Sequence, residues 1–358
     1  MSALTLGLFG LGLVLLIAGA ELLVRGASRL ATAVGISPLV VGLTVVAYGT
    51  SAPELAVSVQ AAFAGQAEMA LGNVIGSNIF NILFILGVAA LVVPLAVAQQ
   101  LVRWDVPLLI VLSALLPLLG LDGTIGRGDG LLLVALGIAY TVWVVRHSRK
   151  ETRAVAAEYK HAFGPSGSTP STVIQLVWVS VGLVLLVLGA RWLVAGAVAI
   201  AHALGLSELI IALTIVAAGT SLPEVATSVL ASVRGERDIA VGNVVGSNIF
   251  NLLSVLGLSG VVAPHGITVP AAALHFDIPV MVAAAIACLP VFFTGHVIAR
   301  WEGALFLAYY VAYTLYVILA ATRHDAASVF GLAMLLFVLP LTAITLAVLA
   351  LRAARLQD

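Results

Sequence analysis

The chain has 358 residues, 62% of them apolar and only 9% charged, with 16 Lys/Arg against 16 Asp/Glu. Soluble domains carry about 25% charged residues, so the composition excludes an ordinary soluble domain and predicts an all-α, polytopic membrane protein. The zero net charge gives no argument for nucleic acid as a partner, and none is expected; the single cysteine, Cys288, can form no internal disulfide.

A helical span needs roughly 20 mainly apolar residues. Eleven such stretches follow one another, centred near residues 13, 50, 80, 112, 138, 185, 220, 250, 283, 311 and 340, the fourth being short. The first lacks a basic leader and runs on past Ala20, so it reads as a retained span rather than a signal peptide. One connection is clearly polar: His147 to Ser171, which ends in Gly-Pro-Ser-Gly-Ser-Thr-Pro and reads as a flexible loop between two halves.

Those halves are copies. Aligning Ser37–Gly87 with Ser207–Gly257 without a gap gives 29 identities in 51 positions, and the polar and special residues are among them. Gly49-Thr50-Ser51-Ala52-Pro53-Glu54 returns as Gly219-Thr220-Ser221-Leu222-Pro223-Glu224, and Gly72–Asn81 returns at Gly242–Asn251 with one residue changed. Weaker echoes, such as Asp105-Val106-Pro107 and Asp277-Ile278-Pro279, widen the unit to five helices. The expected layout is a first repeat at 1–147, a cytoplasmic linker at 148–171, a second repeat at 172–322 and an additional helix at 323–358. Five is odd, so the second unit enters the membrane upside down, the inverted-topology repeat of secondary transporters. Thirteen of the 16 Lys/Arg fall on one side if the amino terminus is outside, which predicts that the central loop and carboxyl terminus are cytoplasmic.

Each Gly49 and Gly219 motif places a carboxylate, two hydroxyls and a proline where a span should be continuous. Pro53 has no N–H, so the Gly49 carbonyl loses its helical partner, as Gly219 does to Pro223. Carbonyls at Ala47, Thr50, Ala217 and Thr220 are expected to turn inward in the same distortion. Irregular backbone at this depth survives only when buried in protein or lining a wet cavity. Ser77 and Asn81, four apart, share one face of the next helix, as do Ser247 and Asn251, and glycines 72, 76, 242 and 246 let these helices pack closely. The sum is two carboxylates, Glu54 and Glu224, amid neutral oxygens, with no His or Cys. Oxygen-only coordination points to Ca²⁺, Na⁺ or Mg²⁺ rather than zinc or copper, and a flexible cage of six to eight oxygens suits Ca²⁺. One Ca²⁺ or two Na⁺ neutralises the pair. An empty ionised pair is costly at this depth, so the charge balance predicts exchange of one cation for another.

These paired motifs resemble the alpha repeats of the cation/calcium exchanger superfamily, most closely its prokaryotic sodium/calcium exchangers. The resemblance covers both repeats and the ten-helix layout and leaves the last helix outside. It implies a secondary antiporter of the cytoplasmic membrane, not an enzyme, trading Ca²⁺ for Na⁺ without a cofactor, with the lipid bilayer as surroundings and a single chain sufficient. Its ion ligands would be Glu54 and Glu224 by carboxylate, Asn81 and Asn251 by amide, and Ala47, Thr50, Ser51, Ser77, Ala217, Thr220, Ser221 and Ser247 by hydroxyl or carbonyl. Family members can carry an aspartate at one of the positions of Asn81 and Asn251; here both are Asn, which leaves the site one potential charge short. A Ca²⁺/H⁺ or broader divalent cation exchanger is therefore the alternative within transport. A cation channel suits a pseudo-twofold pair of glutamates less well than a single occluded site does. An intramembrane hydrolase ranks last, since neither motif holds a His or Lys to activate its serines.

Other polar residues have plainer readings. Glu21 and Arg25 are four apart in the favourable order for a helical ion pair. Asn78 and Asn248 are expected to cap or cross-link helices. Asp105 and Asp277, each two residues before a proline, read as helix caps. Trp104, Trp143, Trp301 and the Tyr309, Tyr310, Tyr313 and Tyr316 group read as interfacial anchors or packing.

Overall fold

A computed structural model describes residues 3–163, 172–204, 211, 215 and 217–355. In lipid the backbone must satisfy its own hydrogen bonds, which leaves an apolar chain like this one to fold as helices. Among the described residues, nine helices are long and apolar enough to span a membrane, from Thr5–Val34 to Ala326–Thr345. A tenth span is the pair Pro38–Thr50 and Ala52–Phe63, bent by 47°, and Leu222–Val233 is the described half of its counterpart in the second repeat. Ten of the eleven expected positions are thereby filled and the seventh is described continuously only from Ala217 onward; the fourth span, Leu101–Leu119, is the shortest of the nine at 19 residues.

The linker differs from expectation. The helix that begins at Arg127 continues as backbone through Phe163, into the stretch read as a loop, and residues 164–171 lie outside the described residues. Nothing between Arg146 and Phe163 breaks a helix; the first Gly and Pro of the stretch are Gly164 and Pro165.

Two short antiparallel ribbons establish the inversion. Strand β1 (Leu95–Ala96) pairs with β4 (Val297–Ile298), and β2 (Thr124–Ile125) pairs with β3 (Ile267–Thr268). In both ribbons the loop after the third helix of one half pairs with the loop after the fourth helix of the other. Within one half those two loops lie on opposite sides of the membrane. They can meet only if the halves have opposite orientation.

The centre is formed by the third span, Ala67–Val92, and the eighth, Arg237–Val262. Their most apolar stretches are 78% and 94% buried, against 6% for the tenth span, Arg300–Ala321, and 0% for the eleventh. Gly242 and Gly246 explain the close packing of the eighth span on the second. A Cβ at Gly246 would lie 2.6 Å from Leu43 Cα. Among the described residues, a Cβ at Gly72 or Gly76 meets nothing within 4 Å.

The first span and the sixth, Thr172–Ala203, run antiparallel against each other. A Cβ on Gly19 would sit 2.8 Å from the Gly182 carbonyl, and one on Gly182 would sit 2.8 Å from the Gly19 carbonyl. The expected Glu21–Arg25 ion pair forms, and Glu21 also takes Arg234 from the end of the seventh span at 2.9 Å.

Asp105 and Asp277 are not helix caps. Each lies inside a continuous span, as the last residue of a widened π-helical turn (Leu101–Asp105 and Ala273–Asp277), and the regular helix resumes at the next residue. Asp105 accepts the Tyr140 hydroxyl at 2.9 Å and the Gln100 amide at 3.1 Å; Asp277 accepts the Tyr313 hydroxyl at 2.9 Å. Tyr313 is thus a hydrogen-bonded strut rather than an interfacial anchor. Tyr309 likewise donates to Thr342 at 2.6 Å, tying the eleventh span to the tenth. Trp104 and Trp143 pack edge to face, with ring centres 5.9 Å apart. An apolar groove of about 1050 Å³ runs between the ninth, tenth and eleventh spans and is lined by none of the predicted site residues.

Candidate cation site

Both breaks occur at the serine of the motif. Ser51 (φ −82°, ψ 9°) and Ser221 (φ −88°, ψ 8°) leave helical geometry, and a new helix starts at the next residue with Pro53 or Pro223 in its opening turn. Proline is tolerated there because first-turn N–H groups have no helical acceptor. Glu54 and Glu224 fall in the same turn, at the positive end of the half-helix, which favours a carboxylate. A π-helical turn, Gly42–Val46, precedes the break, and the Ala47 carbonyl, expected to turn inward there, keeps the Ser51 N–H at 3.0 Å and takes the Thr50 hydroxyl at 3.4 Å. Ala217 lies in the short helical piece Ala217–Gly219 before the second break.

The two halves interlock across the pseudo-twofold. Ser51 donates to Glu224 Oε1 at 2.8 Å, and Ser221 donates to Glu54 Oε1 at 2.8 Å. Ser221 Oγ also lies 3.4 Å from Ser77 Oγ. Both carboxylates are 1% exposed and both serines fully buried. Among the described residues neither carboxylate is ion-paired, and no three His, Cys, Asp or Glu side chains come together. Any cation here is held by two carboxylates plus neutral oxygens.

The predicted amides lie on the third and eighth spans. Asn81 and Asn251 sit on π-helical turns (Phe80–Leu86 and Asn251–Val255), a widening that the sequence reading did not foresee and that often marks functional positions. Each donates its amide across the symmetry axis: Asn81 to Asn248 Oδ1 and Asn251 to Asn78 Oδ1, both at 3.1 Å. Asn78 and Asn248 therefore cross-link the third and eighth spans. What remains is a set of buried oxygens without a hydrogen-bond partner: Glu54 Oε2, Glu224 Oε2, Asn81 Oδ1, Asn251 Oδ1, Thr220 Oγ1 and Ser247 Oγ. Buried polar atoms are nearly always paired. These six unpaired oxygens belong to residues of the two repeated motifs, and each is of the type that can ligate a hard cation.

Sequence reasoning passed over four supporting residues. Asn243 accepts the Thr50 hydroxyl at 3.1 Å and donates to Ser228 at 2.9 Å. Asn73 donates to Ser58 at 2.8 Å and to the Glu54 carbonyl at 3.3 Å. The signal was present, since Asn73/Asn243 and Ser58/Ser228 repeat at the same offset. The sixth span crosses both breaks: a Cβ on Gly49 would meet Leu183 Cδ1 at 2.6 Å, and one on Gly219 would meet Val194 Cγ2 at 2.7 Å.

The sodium/calcium exchanger protein family matches residues 4–146 and 174–319, which covers both repeats. The chain belongs to the sodium/calcium exchanger family. Like other exchangers it is a secondary transporter, of the prokaryotic type within the cation/calcium exchanger superfamily. Among its relatives, the putative antiporter CaxA of Alkalimonas amylolytica is 42% identical over 308 residues, 84% of this chain and 95% of the relative. The sodium/calcium exchanger MaX1 of Methanosarcina acetivorans is 32% identical over 338 residues, 85% and 95% of the two chains. A structure of the sodium-calcium exchanger NCX_Mj, soaked with Na⁺ and Ca²⁺, superposes with a TM-score of 0.73 at 33% identity, covering 90% of this chain and 99% of that one. The family match ends at residue 319, so the eleventh span lies beyond it.

Proposed function

We propose that this exchanger carries Ca²⁺ across the cytoplasmic membrane in exchange for Na⁺, by alternating access around the cage between the two motifs. The ligands in this reading are the carboxylates of Glu54 and Glu224, the amide oxygens of Asn81 and Asn251, the hydroxyls of Thr50, Ser51, Ser77, Thr220, Ser221 and Ser247, and the backbone of Ala47 and Ala217. The reading is carried by the crossed pair Ser51–Glu224 and Ser221–Glu54, which leaves one free oxygen on each carboxylate. The names of MaX1 and NCX_Mj as sodium/calcium exchangers support the choice of ions. With the amino terminus outside, the 13 basic residues on the inner side follow the positive-inside bias. One chain holds both halves of the cage, so a monomer suffices.

Two carboxylates balance one Ca²⁺ or two Na⁺, whereas three Na⁺ leave the cage at plus one. The amides at Asn81 and Asn251 therefore favour either two Na⁺ per Ca²⁺ or protons as the counter-ion. Ca²⁺ uptake into Na⁺-loaded vesicles at fixed pH, with and without Na⁺, separates these; uptake indifferent to both Na⁺ and proton gradients refutes antiport. Glu54→Gln and Glu224→Gln should each abolish Ca²⁺ binding with the fold retained, and normal transport by either variant would overturn the site.

A further inference from the structure

Asn78, Asn81, Asn248 and Asn251 form a cluster in which no side chain is more than 1% exposed. A primary amide is two-faced: its oxygen accepts, its nitrogen donates twice, and a half-turn about the last torsion exchanges them. An amide ligates a cation only oxygen-first; turned the other way, it aims N–H groups at the ion. Something must therefore fix the orientation of Asn81 and Asn251. In each case the nitrogen is taken up by the carbonyl of the partner repeat's neighbouring asparagine, Asn248 Oδ1 for Asn81 and Asn78 Oδ1 for Asn251, both at 3.1 Å. The oxygens of Asn81 and Asn251 are then the ends left without a protein partner. Asn78 is itself anchored, donating to the backbone carbonyl of Asn248 at 3.4 Å and lying 3.7 Å from Met281 Sδ.

We propose that Asn78 and Asn248 are positioning residues that hold the amides of Asn251 and Asn81 oxygen-inward, so that the cage presents acceptors to the ion. The inference rests on reading the site as a cation cage and adds to it the residues that set the cage's polarity. Each positioning residue acts on the ligand of the other repeat, which makes the cage a joint product of both halves. Neither repeat alone orients its own amide.

The test is Ca²⁺ titration of the purified full-length protein by calorimetry. Asn248→Leu keeps the branched shape and removes the acceptor; Asn248→Asp keeps an acceptor oxygen in either protonation state. Asn248→Leu should raise the Kd for Ca²⁺ by about tenfold, about 1.4 kcal/mol, with the thermal midpoint held. Asn248→Asp should stay within about threefold of the wild type or bind more tightly. Because Asn248 acts through Asn81, Asn248→Leu should cost little further in an Asn81→Ala background. A structural role alone predicts the same loss in both backgrounds. If Asn248→Leu does not fold, Asn78→Leu in wild-type and Asn251→Ala backgrounds makes the mirror-image measurement. Wild-type Ca²⁺ binding lost in Glu54→Gln tests the cage reading separately, and a wild type that binds no cation refutes that reading and this inference together. With wild-type binding intact, an unaffected Asn248→Leu, or a loss undiminished by Asn81→Ala, overturns the positioning role alone.

Discussion

Removing one hydroxyl from each motif gives a quantitative test of the interlocked site. Ser51→Ala deletes the donor 2.8 Å from Glu224 Oε1, and Ser221→Ala deletes the donor 2.8 Å from Glu54 Oε1. Alanine differs by one oxygen, and both positions are fully buried, so little water can replace the lost group. A hydrogen bond to a charged group contributes about 1.5–3 kcal/mol. Its full worth appears only while the carboxylate is ionised, which is the state that holds a cation. The loss therefore falls on the loaded protein, and each single variant should bind Ca²⁺ about 10- to 100-fold more weakly, at about 1.4 kcal/mol per factor of ten. Since the two bonds are of equal length and burial, the two losses should be similar. The double variant should depart from additivity, because both hydroxyls serve one site. Calorimetric Ca²⁺ titration of the three variants, with thermal midpoints recorded alongside, provides the assay. Wild-type affinity in either single variant, or a large loss in one and none in the other, would refute the pseudo-symmetric site.

Two further outcomes concern the scaffold. Tyr140→Phe removes a donor from Asp105, which is 0% exposed, and should cost about 1–3 kcal/mol of stability; Tyr313→Phe at the half-buried Asp277 should cost less, and equal shifts in thermal midpoint would contradict the burial argument. Gly182→Ala would set a Cβ 2.7 Å from Leu23 N and force the first and sixth spans apart, costing about 1–3 kcal/mol, whereas Gly10→Ala meets nothing within 4 Å and should cost nothing or stabilise by up to about 1 kcal/mol through helix propensity; a comparison of melting curves in detergent decides it.

Much of this protein was legible in its residues, for identifiable reasons. Lipid allows an apolar chain few options, so hydrophobic runs gave the span positions. The repeat gave the internal symmetry, and the odd helix count gave the inversion that the β1–β4 and β2–β3 ribbons display. Proline at 53 and 223 marked the breaks, because a missing N–H is a local property of the residue. The partner of Asn81 was not legible. Its amide donates to Asn248, 167 positions away, and no local rule connects them.

The same division holds throughout. The sequence by itself determined the membrane class, the two copies, their opposite orientation and the identity of the repeated carboxylates, all of which follow from composition, periodicity and covalent chemistry along the chain. Only the tertiary structure decided that Ser51 serves Glu224 and Ser221 serves Glu54, that Asp105 and Asp277 hold tyrosines instead of capping helices, and that π-helical turns carry Asn81 and Asn251. Those facts depend on which helix faces reach the pseudo-twofold axis. That is settled by packing between distant segments, where close approach at residues such as Gly246 sets the distance and buried polar groups must find partners across it.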